Sequence, residues 1–259
     1  MAVTIKSPRE IELMRKAGEI LAKTHEELGA AIRPGMSTQE IDRLGEKIIR
    51  SFGCKPSFKN YNGYPAAICV SVNDEVVHGI PSRHHYLKEG DIVSLDAGVI
   101  YQGYHSDAAR TWAVGAISPE AKKLMEVTWQ SFYEGIKFAK AGNHLNDVCS
   151  AIQRYAERNG CGVVRDLVGH GIGTHLHEDP EVPNFAMRKR GILLRPGMTL
   201  AVEPMINAGR PDVVWMDDGW TVKTEDGSLS AHYENTILIT EGEPEILSMN
   251  PKDDPRMLH

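Results

Sequence analysis

The residues of this chain best suited to chemistry are imidazoles and carboxylates. Residues 169 to 180 read GHGIGTHLHEDP, which places His170, His175 and His177 within eight positions beside three glycines and an acidic pair. A metal site is the first chemistry such a stretch suggests. His170 and His175 are five apart, not the four that would put both rings on one helical face, and Gly171 and Gly173 argue against a helix. The glycine-flanked His170 instead reads as a side chain on a tight turn or strand end that another backbone approaches closely.

Four acids lie in apolar surroundings: Asp96 in DIVSLDAGV, Asp107 just after Tyr101-Gln102-Gly103-Tyr104, Glu203 in TLAVEPMI and Glu234 in AHYENTILIT. The Tyr101–Tyr104 turn lets Asp96 and Asp107 face each other across a hairpin, and Glu203 and Glu234 read as residues within strands. A carboxylate in such a place is costly unless it is paired, hydrogen-bonded or bound to a metal. For one acid alone, backbone N–H groups or an arginine would be the ordinary answer. Four of them repel one another and call for cations, and hard divalent ions with oxygen ligands meet that need most simply. Two ions about 3.5–4 Å apart, bridged by carboxylates, would suit the count. One imidazole, His170, then completes a five-ligand dinuclear site. Mn, Fe, Co and Zn all accept such donors, and the sequence does not choose among them. His177, next to Glu178 and Asp179, is near enough to line the same cavity, and His78 in EVVHGIPS leaves a strand at a turn; structural roles for both stay open at this point. His175, His84 and His85 are expected to face solvent.

The elements that must position these groups have clear punctuation. Ser7-Pro8-Arg9-Glu10 joins an N-cap serine, a proline at the first helical position and a capping-box glutamate, followed by a periodic apolar run from Ile11 to Leu28. Ser37 and Glu40 repeat the device for a helix that Gly53 ends. Ser118-Pro119 opens a third helix to about Lys140, and Asn143 or a neighbour opens a fourth that ends near Gly160. Residues 66–72, 91–100, 109–114, 198–206 and 236–240 are apolar, β-branched and bounded by Gly or Pro, and read as strands. The halves also repeat: RPGMSTQEID parallels KAGNHLNDVC, SFGCKP parallels RNGCGV, and KEGDIVSLD parallels RPGMTLAVE, all at an offset of 107 residues. The offset carries Asp96 onto Glu203. The expectation is an α+β protein in a single catalytic domain, 1–259, with repeat halves at about 8–115 and 116–240.

The bulk properties remove other classes of function. A chain of 259 residues can bury a sizeable core unaided. No apolar run is long enough to span a bilayer, and the start lacks a signal peptide's apolar core, so a cytoplasmic protein without a membrane partner is expected. Cys54, Cys69, Cys149 and Cys161 occur singly and read as reduced thiols. With a net charge of -6 and scattered basic residues there is no footprint for nucleic-acid specificity.

SLDAG with Asp96, SDAARTW with Asp107, GHGIG with His170, AVEPM with Glu203 and HYENTILIT with Glu234 together resemble the signature of the type I methionine aminopeptidases, peptidase family M24. The resemblance runs from about Lys6 to Ile246 and is closest to the short bacterial form. It implies the pita-bread fold: two pseudo-symmetric halves of helices packed on a shared curved antiparallel sheet. It also implies two divalent ions (Co, Mn, Fe or Zn) held by Asp96, Asp107, His170, Glu203 and Glu234. The implied activity is hydrolysis of the initiator methionine from nascent polypeptides, with a small second residue preferred. Glu203 would carry the proton, while His78 and His177 would face the substrate. Tyr61, Tyr64, Cys69, Leu176 and Trp220 would line the methionine pocket. Leu176 and Leu167 depart from the phenylalanine and tyrosine common in bacterial members, which bears on the pocket's rim. The implied partners are nascent N-termini, met by a monomer. A transient ribosome contact stays open, although the acidic segment after Arg210 does not favour RNA. An X-Pro peptidase of the same fold would keep the five ligands, and a non-catalytic relative would be expected to lose some.

Overall fold

The computed structural model describes residues 3–250 and 253–257; the extreme ends of the expected 1–259 unit, together with residues 251–252, lie outside them. In chain order the elements are α1 (Pro8–Ala31), α2 (Thr38–Ser51), β1 (Lys55–Pro56), β2 (Ile68–Val72), β3 (Glu75–Val77), β4 (Ile92–Tyr101), β5 (Tyr104–Ala113), α3 (Pro119–Ile136) and α4 (Leu145–Arg158). There follow β6 (Gly162–Val163), β7 (Gly169–Gly171), β8 (Glu178–Val182), β9 (Thr199–Val202), β10 (Met205–Asn207) and β11 (Val213–Trp215). The last are β12 (Val222–Thr224), β13 (Ser230–His232), β14 (Asn235–Leu238) and β15 (Glu245–Ile246).

Both capping boxes form as the sequence implies. Ser7 and Ser37 accept from the backbone N–H of Glu10 and Glu40, whose carboxylates accept in return from the serine N–H groups at 2.7 and 2.8 Å. α3 is shorter than expected, stopping at Ile136 rather than near Lys140. Its last turn tightens through three-residue bonds, Phe138 N–H to the Gly135 carbonyl and Ala139 N–H to that of Ile136. α4 starts at Leu145, where the N–H of His144 donates to Asp147 at 2.9 Å.

Each half packs a helix pair against antiparallel strands. In the first, Leu21, Ile41 and Ile49 from α1 and α2 bury against Ile68 and Leu95 from β2 and β4. In the second, Phe132 and Ile152 from α3 and α4 bury against Leu200 and Ile237 from β9 and β14. The strands form one ladder of β1, β4, β2 and β5, another of β15, β14, β9, β7 and β8, and two three-stranded ladders, β13-β10-β6 and β11-β12-β3. The seam between halves runs along β5 and β14. There Asp107 N–H donates to the Thr236 hydroxyl and that hydroxyl to the Asp107 carbonyl, both at 2.9 Å, while Glu234 N–H donates to the Ala109 carbonyl at 3.0 Å.

The 107-residue offset relates structural features as well as letters. α2 and α4 match end to end at that spacing, β4 and β9 begin in register, and the isolated bridge Ser37–Tyr86 has its counterpart in His144–Leu193. Gly35 and Gly142, Gly53 and Gly160, and Gly90 and Gly197 all take positive φ, between 71° and 92°.

Candidate metal centre

Three neighbouring strands set the first half of the site. Cys69 on β2 stands opposite Asp96 on β4, which stands opposite Ala109 on β5. Asp107 lies two residues before Ala109, so Cys69, Asp96 and Asp107 project from one face. The hairpin that brings the two acids together closes through Gln102 and Gly103, both at positive φ (47° and 88°), as a tight two-residue connection requires.

The second half corrects the sequence reading, which ran continuous strands through Glu203 and Glu234. Both acids sit in breaks. Val202 pairs with Asn235 and Met205 with His232, so the gap at Glu203-Pro204 faces the gap at Tyr233-Glu234. Pro204 has no N–H to offer a ladder, and here the chain leaves the β7–β9–β14 pairing for that of β6–β10–β13. The breaks turn both carboxylates toward the Asp96–Asp107 face. His170 is opposite Ala201, two residues from Glu203. The close backbone approach expected there is present: a Cβ on Gly169 would lie 2.3 Å from the Ala201 carbonyl oxygen, and one on Gly171 2.2 Å from that of Asp179.

His170 is prepared as a ligand. Its Nδ1–H donates to the Gly171 carbonyl at 2.9 Å, which leaves the Nε2 lone pair 3.8 Å from Oδ2 of Asp107 and 3.6 Å from Oε1 of Glu203. Those gaps are too long for hydrogen bonds. They suit donors around a shared ion, since two ligands each about 2.1 Å from a metal stand roughly 3–4 Å apart. Ligand atoms of Asp107, His170 and Glu234 fall within 4.8 Å of one another, as do those of Glu203, His232 and Glu234. Asp96 Oδ1, Glu234 Oε1 and His232 Nε2 are buried without hydrogen-bond partners. Unsatisfied carboxylate oxygens, crowded together, fit a pair of divalent cations.

The titration behaviour agrees. Burial pushes the Asp96 carboxyl up to about 7, against a hydrogen bond from Asp107 that lowers it. Burial and then the charges of Glu234 and Asp96 hold Asp107 well above its usual range. Glu203 is raised by burial, Asp96 and Asp107, and Glu234 by burial, Glu203 and Asp96. Without cations the centre keeps protons where carboxylates would repel. Burial lowers His170 and His232 to about 3, so both imidazoles are neutral.

All twelve residues assigned to the site from the sequence, and Leu167 with them, line one cavity of about 230 Å³. Tyr64 is buried and meets Trp220 edge-on at 5.1 Å, with Cys69 and Leu176 beside them. The Tyr61 hydroxyl lies 2.7 Å from Nδ1 of His177, whose ring stands 4.2 Å from that of His170. The neighbouring Glu178 is fixed by a buried pair with Lys6 at 2.6 Å. His78 leaves β3 at a φ of 59°, and burial lowers its imidazole to about 4. His175 and His84 face solvent as expected, whereas His85 is half-buried. Phe58, Asn62, Val77, Val168, Met205 and His232 also line the cavity and were not singled out. His232 was legible, because it is two residues before Glu234 and so shares its side of an extended chain.

A neutral imidazole and four carboxylates, Asp107 and Glu234 buried and Asp96 and Glu203 part-buried, lining one small cleft have the character of a metal-dependent hydrolase. The profile of metallopeptidase family M24 matches residues 12–241, and the chain belongs to that family. A methionine aminopeptidase of Clostridium perfringens is 54% identical over 247 residues, covering 95% of this chain and 99% of the relative. The crystal structure of a methionine aminopeptidase from Thermotoga maritima superposes with a TM-score of 0.94 at 47% identity, covering 96% of this chain and 100% of that one. An Xaa-Pro dipeptidase of Bacillus anthracis gives 0.77 at 28% identity, covering 95% of this chain but 62% of that one. The shared α+β architecture of two pseudo-symmetric halves is the pita-bread fold.

Proposed function

We infer that this chain is a metal-dependent aminopeptidase that hydrolyses the N-terminal initiator methionine from nascent polypeptides and prefers a small second residue. The observation that carries this reading is the placement of the carboxylate-imidazole cluster at the floor of the same cleft whose walls are Tyr64, Cys69 and Trp220. Two divalent ions would be held by Asp96, Asp107, His170, Glu203 and Glu234; bound there, they supply an activated water and polarise the scissile carbonyl.

The chain's own groups do the rest. Glu203, its affinity for protons raised by burial, takes the proton from water and gives it to the leaving amide nitrogen. In the tautomer whose Nδ1 accepts from the Tyr61 hydroxyl, His177 carries its proton on Nε2 and donates to the carbonyl oxygen as negative charge develops. His78 steadies the substrate amide. An unbranched thioether suits a pocket of aromatic rings edged by Leu176, because sulfur packs well against aromatic faces. The Cys69 thiol, pushed well up by burial, stays protonated and serves as wall rather than nucleophile. Tyr61 and His177 crowd the mouth and favour a small second residue.

We place the protein in the cytoplasm, acting as a monomer and a single catalytic domain. No described helix is long and apolar enough to cross a membrane, and all four cysteines are buried and free. One metal-replete preparation offered Met-Ala and Ala-Pro peptides tests the specificity. Release of methionine from the first with the second left intact is expected; the reverse makes this an X-Pro peptidase.

A further inference from the structure

His232 ends β13 at 2% exposure, with its Nε2 buried and without a hydrogen-bond partner. That nitrogen faces Oε2 of Glu203 at 3.8 Å and Oε2 of Glu234 at 3.9 Å. The other oxygen of Glu203, Oε1, faces His170 Nε2 at 3.6 Å. The Glu203 carboxylate therefore lies between two imidazoles, one for each oxygen. His170 has spent its N–H on the Gly171 carbonyl and offers a lone pair. With Oε1 turned toward His170, Oε2 is left facing His232, whose buried Nε2 is costly unless a partner meets it.

We propose that His232 is a positioning residue for Glu203: in the metal-loaded protein its Nε2–H donates to Oε2 of Glu203 and fixes the carboxylate with Oε1 turned toward His170. A neutral imidazole carries one N–H, and placing it on Nε2 gives that orphaned nitrogen a carboxylate acceptor. Closing the gap to a normal length of about 2.9 Å takes roughly 1 Å of side-chain motion. Ligating carboxylates are commonly held by such outer partners. The inference rests on the reading of Glu203 as a metal ligand.

The test begins with the wild-type protein, so it does not depend on a variant folding. With ¹⁵N-labelled histidine and zinc, nuclear magnetic resonance distinguishes tautomers and metal-bound nitrogens. His170 should be metal-bound through Nε2, and His232 should become an Nε2–H donor with slowed proton exchange on zinc addition. A metal-bound Nε2 on His232 overturns the proposal, and zinc that does not bind overturns the metal centre with it. His232→Leu removes the donor, and zinc affinity should fall about 10–100-fold, with kcat reduced and KM little changed. His232→Gln keeps an N–H and should restore affinity to within about threefold of wild type. Unchanged affinity in His232→Leu, or equal losses in both variants, contradicts the role.

Discussion

Asp107 shows at the scale of one residue why the centre needs cations. It is 4% exposed, its backbone is tied to Thr236, and its carboxyl meets Asp96 and Glu234. Asp107→Asn keeps the shape and removes a charge, so metal affinity should fall while the fold persists, as calorimetric titration and circular dichroism would show. Glu203→Ala should lower kcat by about 10²–10⁴-fold or more, since it removes the proposed proton carrier and ligand. Full activity in the purified variant would end that role. The raised carboxyls also fix a pH dependence. Burial pushes Asp96 up to about 7 and raises its neighbours as well, and ions bind only the ionised forms, so loading releases protons and affinity rises with pH. The number released should fall between pH 6 and 8 as Asp96 loses its proton beforehand. Titration calorimetry in buffers of different ionisation enthalpy reads this directly, and an absence of proton release contradicts it.

At the scale of elements, β7 carries His170, the proposed imidazole ligand, and its neighbours leave no room. Gly171→Ala would drive a methyl group into the Asp179 carbonyl. A cost of about 1–3 kcal/mol is expected in denaturant titration, with weaker metal binding because His170 moves with the strand. What could be read from sequence divides along the same line. Ser7 with Glu10, and Ser37 with Glu40, specify helix starts through contacts three residues apart, and each formed as read. The β4–β5 hairpin was legible for the same reason, a local turn. The breaks at Glu203 and Glu234 were not, because they arise where paired strands change partners across the molecule. His232 is legible from the alternation His232-Tyr233-Glu234, which sets it on the same side of an extended chain as Glu234.

At the scale of the whole molecule, the 107-residue offset explains how distant segments build one centre. Equivalent helices and strands carry Asp96 in one half and Glu203 in the other to a common seam, with β5 and β14 bound together beside it. Function therefore depends on the halves staying joined. The offset was visible as three short matches, and the capped helices and turn glycines at equivalent positions follow from it. The central claim joins metal to cleavage of a free N-terminal methionine. The most direct measurement is methionine released from a Met-Ala peptide as divalent ions are titrated back into chelator-stripped protein, beside the same peptide with its amino group acetylated. The account predicts no release from the stripped protein, recovery as ions are restored, and none from the acetylated peptide at any loading. Cleavage by the stripped protein, or of the acetylated peptide, would contradict it.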